Sequence, residues 1–160
     1  MSFSIIAAVG KNRELGKKGG LCFNIPGDLK FFKEVTLGHP IFMGLNTWKS
    51  LPGKLPGREH YVLAFRDEDV EGDVNVATDL EEFIKKWKDA PDEMFVIGGG
   101  MVYKQMLPFA SKLYLTEVDG EDKEAEVFFP EFDRKNWNRE LIRKGADNDL
   151  TYSHVLYTKK

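Results

Sequence analysis

Cysteine is almost missing from the chain: Cys22 is the only one in 160 residues, so no internal disulfide can form and no paired-cysteine metal site is available. Histidine is nearly as scarce. His39, His60 and His154 have no metal-binding spacing, and no metal is expected. Long hydrophobic runs are also missing: the N-terminal run, Phe3 to Val9, is too short for a secretory leader and leads straight into a turn at Gly10-Lys11-Asn12. A charge excess is lacking, since a net charge of −3 gives no electrostatic reason to expect a nucleic-acid or membrane partner. Internal repeats and low-complexity segments are absent as well. These absences leave the cytoplasm as the default location, and a monomer is expected.

What is present is the composition of a folded protein, 42% hydrophobic and 31% charged, at a length that buries one full core. One domain over 1–160 is expected. Phe3 to Val9 is a nearly continuous apolar run, the pattern of a strand covered on both faces. Lys11 to Phe23, with Gly16, Gly19 and Gly20, reads as a long irregular loop, and loops of that length are usually functional. Ile41-Phe42-Met43 is a second buried strand, closed by Gly44, and a short helix follows from Asn46 to Ser50. Two Pro-Gly turns then deliver the chain to a strand over His60 to Ala64, with another at Val74 to Ala77. Asp79 caps a helix carrying Leu80, Phe83, Ile84 and Trp87 on one face. Met94 to Ile97 is a buried strand running into Gly98-Gly99-Gly100, and Val102, Tyr103, Met106 and Leu107 mark another helix. Leu113 to Val118, Arg139 to Lys144 and Tyr152 to Thr158 are the remaining strands. Alternating strands and helices predict a mostly parallel, twisted α/β sheet with helices on both faces and an antiparallel C-terminal edge. Ligands of such sheets bind at the carboxyl ends of the strands, where the connections diverge.

The residue most out of place is Asp28. In a helix from about Pro26, a step of roughly 100° per residue puts Phe31, Phe32 and Val35 around it, with Lys30, Lys33 and Glu34 opposite. A carboxylate within an apolar strip needs a partner or a raised pKa. One reading is a plain first-turn acid complementing the helix dipole, with Asn24 and Pro26 as start residues. The other is a carboxylate offered to a ligand.

Other segments carry chemistry of their own. Gly98-Gly99-Gly100, between a buried strand and a helix, allows a diphosphate close to the backbone, or simply makes a tight turn. It is neither the dinucleotide fingerprint nor a P-loop. Thr47, in the short helix, is a second possible anion contact or an ordinary cap. Arg58, placed by a stiff Pro-Gly turn, suits a carboxylate ligand or plain solvation. Thr116 lies in an apolar strand and needs a hydrogen-bond partner if it faces the core.

These pieces together resemble dihydrofolate reductase over essentially the full length. The matches are Ile5-Ile6-Ala7-Ala8-Val9, Asn24-Ile25-Pro26-Gly27-Asp28-Leu29 with Phe32-Lys33, Met43-Gly44 with Thr47-Trp48, Leu55-Pro56-Gly57-Arg58, Val96-Ile97-Gly98-Gly99-Gly100 with Tyr103, Leu113-Tyr114-Leu115-Thr116, and Phe129-Pro130. Their order and spacing are jointly very specific. The resemblance implies a mixed eight-stranded sheet with four flanking helices, and hydride transfer from NADPH to C6 of 7,8-dihydrofolate with protonation at N5. Asp28 would hold the pterin through N3 and the 2-amino group, with Thr116 hydrogen-bonded to it as the other member of the catalytic pair. Ile6, Ala7, Leu21, Leu29, Phe32, Leu51, Leu55, Ile97 and Tyr103 would line the substrate, and Arg58 would pair with its glutamate α-carboxylate. Ala8, Leu15, Gly16, Gly44, Asn46, Thr47, Leu63, Arg66, Gly98, Gly99, Gly100, Met101, Val102 and Tyr103 would line the cofactor, with a cis peptide at Gly98-Gly99. Lys11 to Phe23 would close over the nicotinamide.

The chain departs from the family pattern in places. Leu21-Cys22-Phe23 stands where the family usually reads Leu-Pro-Trp, so the indole N–H that helps hold a water near the pterin is missing. Leu45 replaces a frequent basic residue and Ala64-Phe65 small hydroxyl residues, leaving Arg66 as the local cation for the adenosine phosphates. The acidic residue usual before Phe-Pro is matched by Glu126 with a one-residue shift. Alternatives to a dihydrofolate reductase are a riboflavin-pathway pyrimidine reductase, which lacks the helix carboxylate, and a non-catalytic pterin- or nucleotide-binding protein.

Overall fold

The computed structural model describes residues 3–147 and 149–160. The apolar run at the N-terminus forms β1 (Phe3–Val9) at the middle of an eight-stranded sheet. Its alternation sorts the core into two layers. Phe3, Ile5 and Val9 pack with Phe42, Phe83, Tyr103, Leu113 and Leu115, whereas Ile6 packs with Phe31, Ile41, Met43 and Phe95 on the other face. In the described chain β4 (Ile41–Gly44), β5 (His60–Leu63), β6 (Asn75–Ala77), β7 (Met94–Gly98) and β8 (Ala110–Val118) join β1 in parallel. β10 (Trp137–Asp147) and β11 (Leu150–Lys159) add the expected antiparallel edge, in the order β10-β11-β8-β1-β7-β4-β5-β6. Helices α1 (Pro26–Thr36) and α2 (Leu45–Ser50) supply Phe31, Phe32, Val35, Trp48 and neighbours to one face. Helices α3 (Leu80–Trp87) and α4 (Gly100–Met106) cover the other with Phe83, Ile84, Val102 and Met106. The Asp79 cap forms as expected, its carboxylate accepting from Glu82 N at 3.2 Å.

The stretch expected to be an irregular loop is instead partly strand. β2 (Glu14–Lys17) and β3 (Gly20–Leu21) form a hairpin turning at Lys18 and Gly19, both at positive φ (49° and 76°), and β9 (Val127–Phe128) pairs with β2 to complete a separate three-stranded sheet. Backbone pairing with a distant segment holds these residues, so side-chain periodicity carried no trace of it. Element ends shift elsewhere by a residue or a few. α2 starts at Leu45, which makes Thr47 its third residue, and the last two strands run beyond their expected bounds.

Parallel β4 and β7 are neighbours, and the chain leaves β4 into α2 on one face and β7 into α4 on the other. The carboxyl ends of these strands therefore flank a crevice, which is where an open α/β sheet takes a ligand.

Candidate active site

Asp28 sits in the first turn of α1, whose N-cap Ile25 contributes no side-chain hydrogen bond. The helix start is held from outside: Gly27 N donates to Asp147 Oδ2 at 2.8 Å, and Tyr152 Oη donates to the same oxygen at 3.1 Å. Asp28 is only 20% exposed at its side chain, and Thr116 Oγ1 on β8 donates to its Oδ1 at 2.5 Å. Among the described residues no lysine or arginine pairs with it. Burial pushes the Asp28 carboxyl above the usual aspartate range and the Thr116 hydroxyl pulls it part of the way back, leaving a net rise. The plain dipole-complementing role does not require such burial. Ile6, Phe32, Leu51, Leu55 and Ile97 pack on this same side of the sheet. Leu29 is exposed and, with Pro26, Lys30, Lys33, Leu37 and Arg58, lines a cleft of about 510 Å³ along α1.

Arg58 is placed as the stiff turn suggested. Its Nε donates to Thr36 Oγ1 at 2.9 Å, Nη2 to Lys33 O at 2.7 Å, and Nη1 to Pro56 O. The guanidinium is thus moored to the end of α1, and each terminal nitrogen keeps a second N–H.

The crevice between β4 and β7 gathers Gly44, Thr47, Gly98, Gly99 and Gly100. Gly44 and Gly99 are the N-caps of α2 and α4, and neither helix has a side-chain cap. Gly98 has a φ of 142°, which disfavours any side chain, and a Cβ there would lie 3.1 Å from Thr47 Oγ1, a tight contact; one at Gly99 would lie at 3.4 Å, in ordinary contact. The Gly98-Gly99 peptide is cis, as expected. Two uncapped helix starts and a hydroxyl around bare backbone form a donor set that fits a diphosphate. Asn46 and Met101 lie exposed at its rim.

Other expected contacts point elsewhere. Ala7, Leu15, Leu63, Val102 and Tyr103 pack in the opposite core layer, and the Tyr103 hydroxyl reaches back to Ile6 O at 2.8 Å. Side chains alternate across a strand, so Ala7 faces away from Ile6 and offers the substrate side only its backbone. Gly16 and exposed Leu21 belong to the small sheet. Arg66 is tied to Asp69 at 2.9 Å and to Glu68 at 3.5 Å. Phe65 beside it is 97% exposed. Phe23 is buried with Ile25, Val118 and Tyr152.

Three features escaped the sequence reading. His154 on β11 stands opposite Thr116 with Nδ1 2.9 Å from its hydroxyl. Asp147 anchors α1, and Glu14 accepts from Asn12 N at 2.7 Å and Asp122 N at 2.8 Å, joining the β1–β2 segment to the chain after β8. Each depends on a contact between segments distant in the chain, and only that of His154 with Thr116 is a pairing of strands. The alternation of Tyr152, His154 and Leu156 along one strand was the only local hint, and it does not name a partner.

Fold and site together describe an α/β protein with a largely buried carboxylate on one side of its sheet and a glycine-lined crevice at its strand ends whose donors would fit a diphosphate, as a dinucleotide-dependent oxidoreductase requires. A family model described as dihydrofolate reductase matches residues 2–159. The dihydrofolate reductase HdrB of Haloferax volcanii is 37% identical over 99% of this chain and 84% of its own length. That of Bacillus subtilis is 35% identical over 98% and 94%. The structure of dihydrofolate reductase from Enterococcus faecalis complexed with NADP(H) superposes with a TM-score of 0.89 at 27% identity, covering 99% of this chain and 96% of that one. The chain belongs to the dihydrofolate reductase family, and it is an NADPH-dependent oxidoreductase that reduces dihydrofolate to tetrahydrofolate. Neither the pyrimidine reductase nor the non-catalytic alternative is favoured by these matches.

Proposed function

We propose that Asp28, held by Thr116, is the group that orients 7,8-dihydrofolate and sustains its protonation at N5 while C6 is reduced. NADPH supplies the hydride when bound, and Gly44, Thr47, Gly98, Gly99 and Gly100 are the residues that fit its diphosphate. Asp28 accepts from the pterin N3 and 2-amino groups, Ile6, Phe32, Leu51, Leu55 and Ile97 exclude water around the ring, and Arg58 pairs with the glutamate α-carboxylate. The observation that carries this reading is the largely buried carboxylate of Asp28, which has the Thr116 hydroxyl but, among the described residues, no lysine or arginine as partner. An acidic group without a cation in an apolar wall has hydrogen-bonding capacity left for a ligand. The chain works as one domain and as a monomer in the cytoplasm, on a small molecule and without nucleic acid or membrane. A net charge of −3 and a single free cysteine support that setting.

The test follows NADPH oxidation with and without dihydrofolate. Wild type should oxidise NADPH only with substrate present, and Asp28→Asn should be slower by roughly 10²–10⁴-fold at neutral pH, with partial recovery at low pH. Wild-type turnover by Asp28→Asn at neutral pH would remove Asp28 from the mechanism.

A further inference from the structure

The Asp28–Thr116 pair continues one residue further. Thr116 faces His154 across the β8–β11 ladder, and its Oγ1 lies 2.5 Å from Asp28 Oδ1 and 2.9 Å from His154 Nδ1. The imidazole is 2% exposed and is fixed in orientation by stacking on Phe31, with ring centroids 3.8 Å apart and planes at 12°, and by the edge of Tyr152 at 5.2 Å. A hydroxyl has one proton to donate. An ionised Asp28 only accepts, so the Thr116 proton is committed to it, and the contact with His154 can form only if Nδ1 carries its own proton.

We infer that His154 is a positioning residue for Asp28: its Nδ1–H donates to Thr116 Oγ1, fixes that hydroxyl toward the carboxylate, and thereby lowers the proton affinity of the Asp28–pterin pair. The inference rests on the proposed role of Asp28. The groups facing His154 are Asp28 and Glu34 from α1, Thr116 from β8, Arg143 from β10 and Tyr152 beside it on β11, while Tyr103 and Tyr152 also lie near Asp28. Burial and the Arg143 charge, opposed by Glu34, hold the imidazole pKa down at about 4, so the ring stays neutral through the physiological range and acts as a fixed dipole, not a charge. A chain of hydrogen bonds polarised in one direction strengthens its last link, here the one onto the carboxylate.

The experiment combines nitrogen NMR of the His154 ring in the unliganded protein, carboxyl-carbon NMR titration of Asp28, and pH profiles of kcat/KM for dihydrofolate. Wild type should show the neutral Nδ1–H tautomer. His154→Phe should raise the Asp28 midpoint and the descending limb of the profile by about half a pH unit, a threefold change in proton affinity. His154→Asn, whose amide N–H can replace Nδ1–H, should return both toward wild type. An Nε2–H tautomer overturns the inference, as does an Asp28 midpoint that His154→Phe leaves in place. Should His154→Phe not fold, the wild-type tautomer and the His154→Asn titration still decide. Asp28→Asn separates the two readings. A limb that persists in Asp28→Asn removes the proposed role of Asp28, whereas one that disappears there but is unmoved by His154→Phe removes only the role of His154.

Discussion

The Gly27 N–H donates to Asp147 Oδ2 at 2.8 Å, so the β10–β11 hairpin supplies the first turn of α1 with the cap its own sequence lacks. The carboxylate also complements the helix dipole. Asp28 is the next residue, and its position depends on that anchor. Asp147→Ala leaves both Gly27 N–H and the buried Tyr152 hydroxyl without their acceptor, and should lower stability by about 1–2 kcal/mol. Asp147→Asn keeps an acceptor oxygen and should lose less. Urea melts check the order, and equal losses in the two variants would show that the hydrogen bonds are not what the residue contributes. Gly27→Ala should be worse for turnover than either, because a Cβ there would sit 2.1 Å from Tyr152 Oη and 2.7 Å from Asp147 Oδ2, so that α1 or these two side chains must shift and the anchor is lost.

Asp28 should serve function at the expense of stability. Its folded-state pKa is raised, so folding takes up a proton and the group's effect on stability becomes unfavourable as pH rises through its folded pKa. Unliganded Asp28→Asn should therefore melt higher than wild type at neutral pH, by roughly 2–4 °C per kcal/mol relieved. The gain should vanish below about pH 3, where the group is protonated in both the folded and the unfolded wild type. Calorimetry across this range is the measurement, and a pH-independent difference would refute the linkage.

Two other buried groups act in the opposite direction. His154 has its folded pKa depressed to about 4, so its contribution is full above about 6.5 and is lost as pH falls from there through about 4. That contribution is at most about 3 kcal/mol. Glu14 would be pushed up by burial, but the N–H groups of Asp122 and Asn12 outweigh this and hold it below the usual range. Its share is intact above about 4.5 and is lost at lower pH. Acid unfolding should then flatten over different windows, near pH 4–6.5 in His154→Phe and below about 4.5 in Glu14→Gln. Hydrogen exchange in Glu14→Gln should also quicken around residues 11–21, since this carboxylate joins the β1–β2 segment to Asp122. A single shared acid transition, unaltered by either substitution, would contradict both assignments.

The mooring of Arg58 to Thr36, Lys33 and Pro56 would let it meet the substrate carboxylate proposed for it without first being ordered. Arg58→Leu removes a charge-assisted contact worth about 1.5–3 kcal/mol, so KM for dihydrofolate should rise by roughly 10–100-fold with a much smaller change in kcat. A pterin substrate lacking its glutamate should not notice. Equal weakening of both ligands would mean that the lost bonds to Thr36 and Lys33 had displaced α1.

The sheet, the four helices and Asp28 as an anomaly were legible because each leaves a local mark: apolar runs, 3.6-residue spacing, and a charge inside an apolar strip. The small sheet was not. β2 and β9 pair through backbone, and nothing in Glu14 to Lys17 names Val127 and Phe128 as partners. The same limit hid His154, whose relation to Asp28 exists only because β11 lies antiparallel to β8 in one register. Face assignment was the other gap, since Ala7 and Ile6 are neighbours in sequence but point to opposite core layers.

We propose that cofactor preference turns on Arg66, and the fold places acidic partners beside it. With Leu45, Ala64 and Phe65 offering neither charge nor hydroxyl, Arg66 is the candidate to read the adenosine 2′-phosphate, yet its guanidinium is already paired with Asp69 at 2.9 Å and Glu68 at 3.5 Å. These pairs are exposed, and exposed pairs are worth about 0.2–1 kcal/mol. They can be broken, but at a cost to phosphate binding. NADPH should therefore be preferred over NADH only modestly. Arg66→Ala should raise KM for NADPH while leaving NADH nearly unchanged. Asp69→Ala should do the reverse and widen the preference by roughly two- to fivefold, because the arginine no longer has to leave a partner. The deciding quantity is the ratio of kcat/KM for the two cofactors in the three proteins. If it stays constant when Arg66 is removed, another cation reads the phosphate; if it falls when Asp69 is removed, the ion pair holds Arg66 in place for the cofactor and does not compete with it.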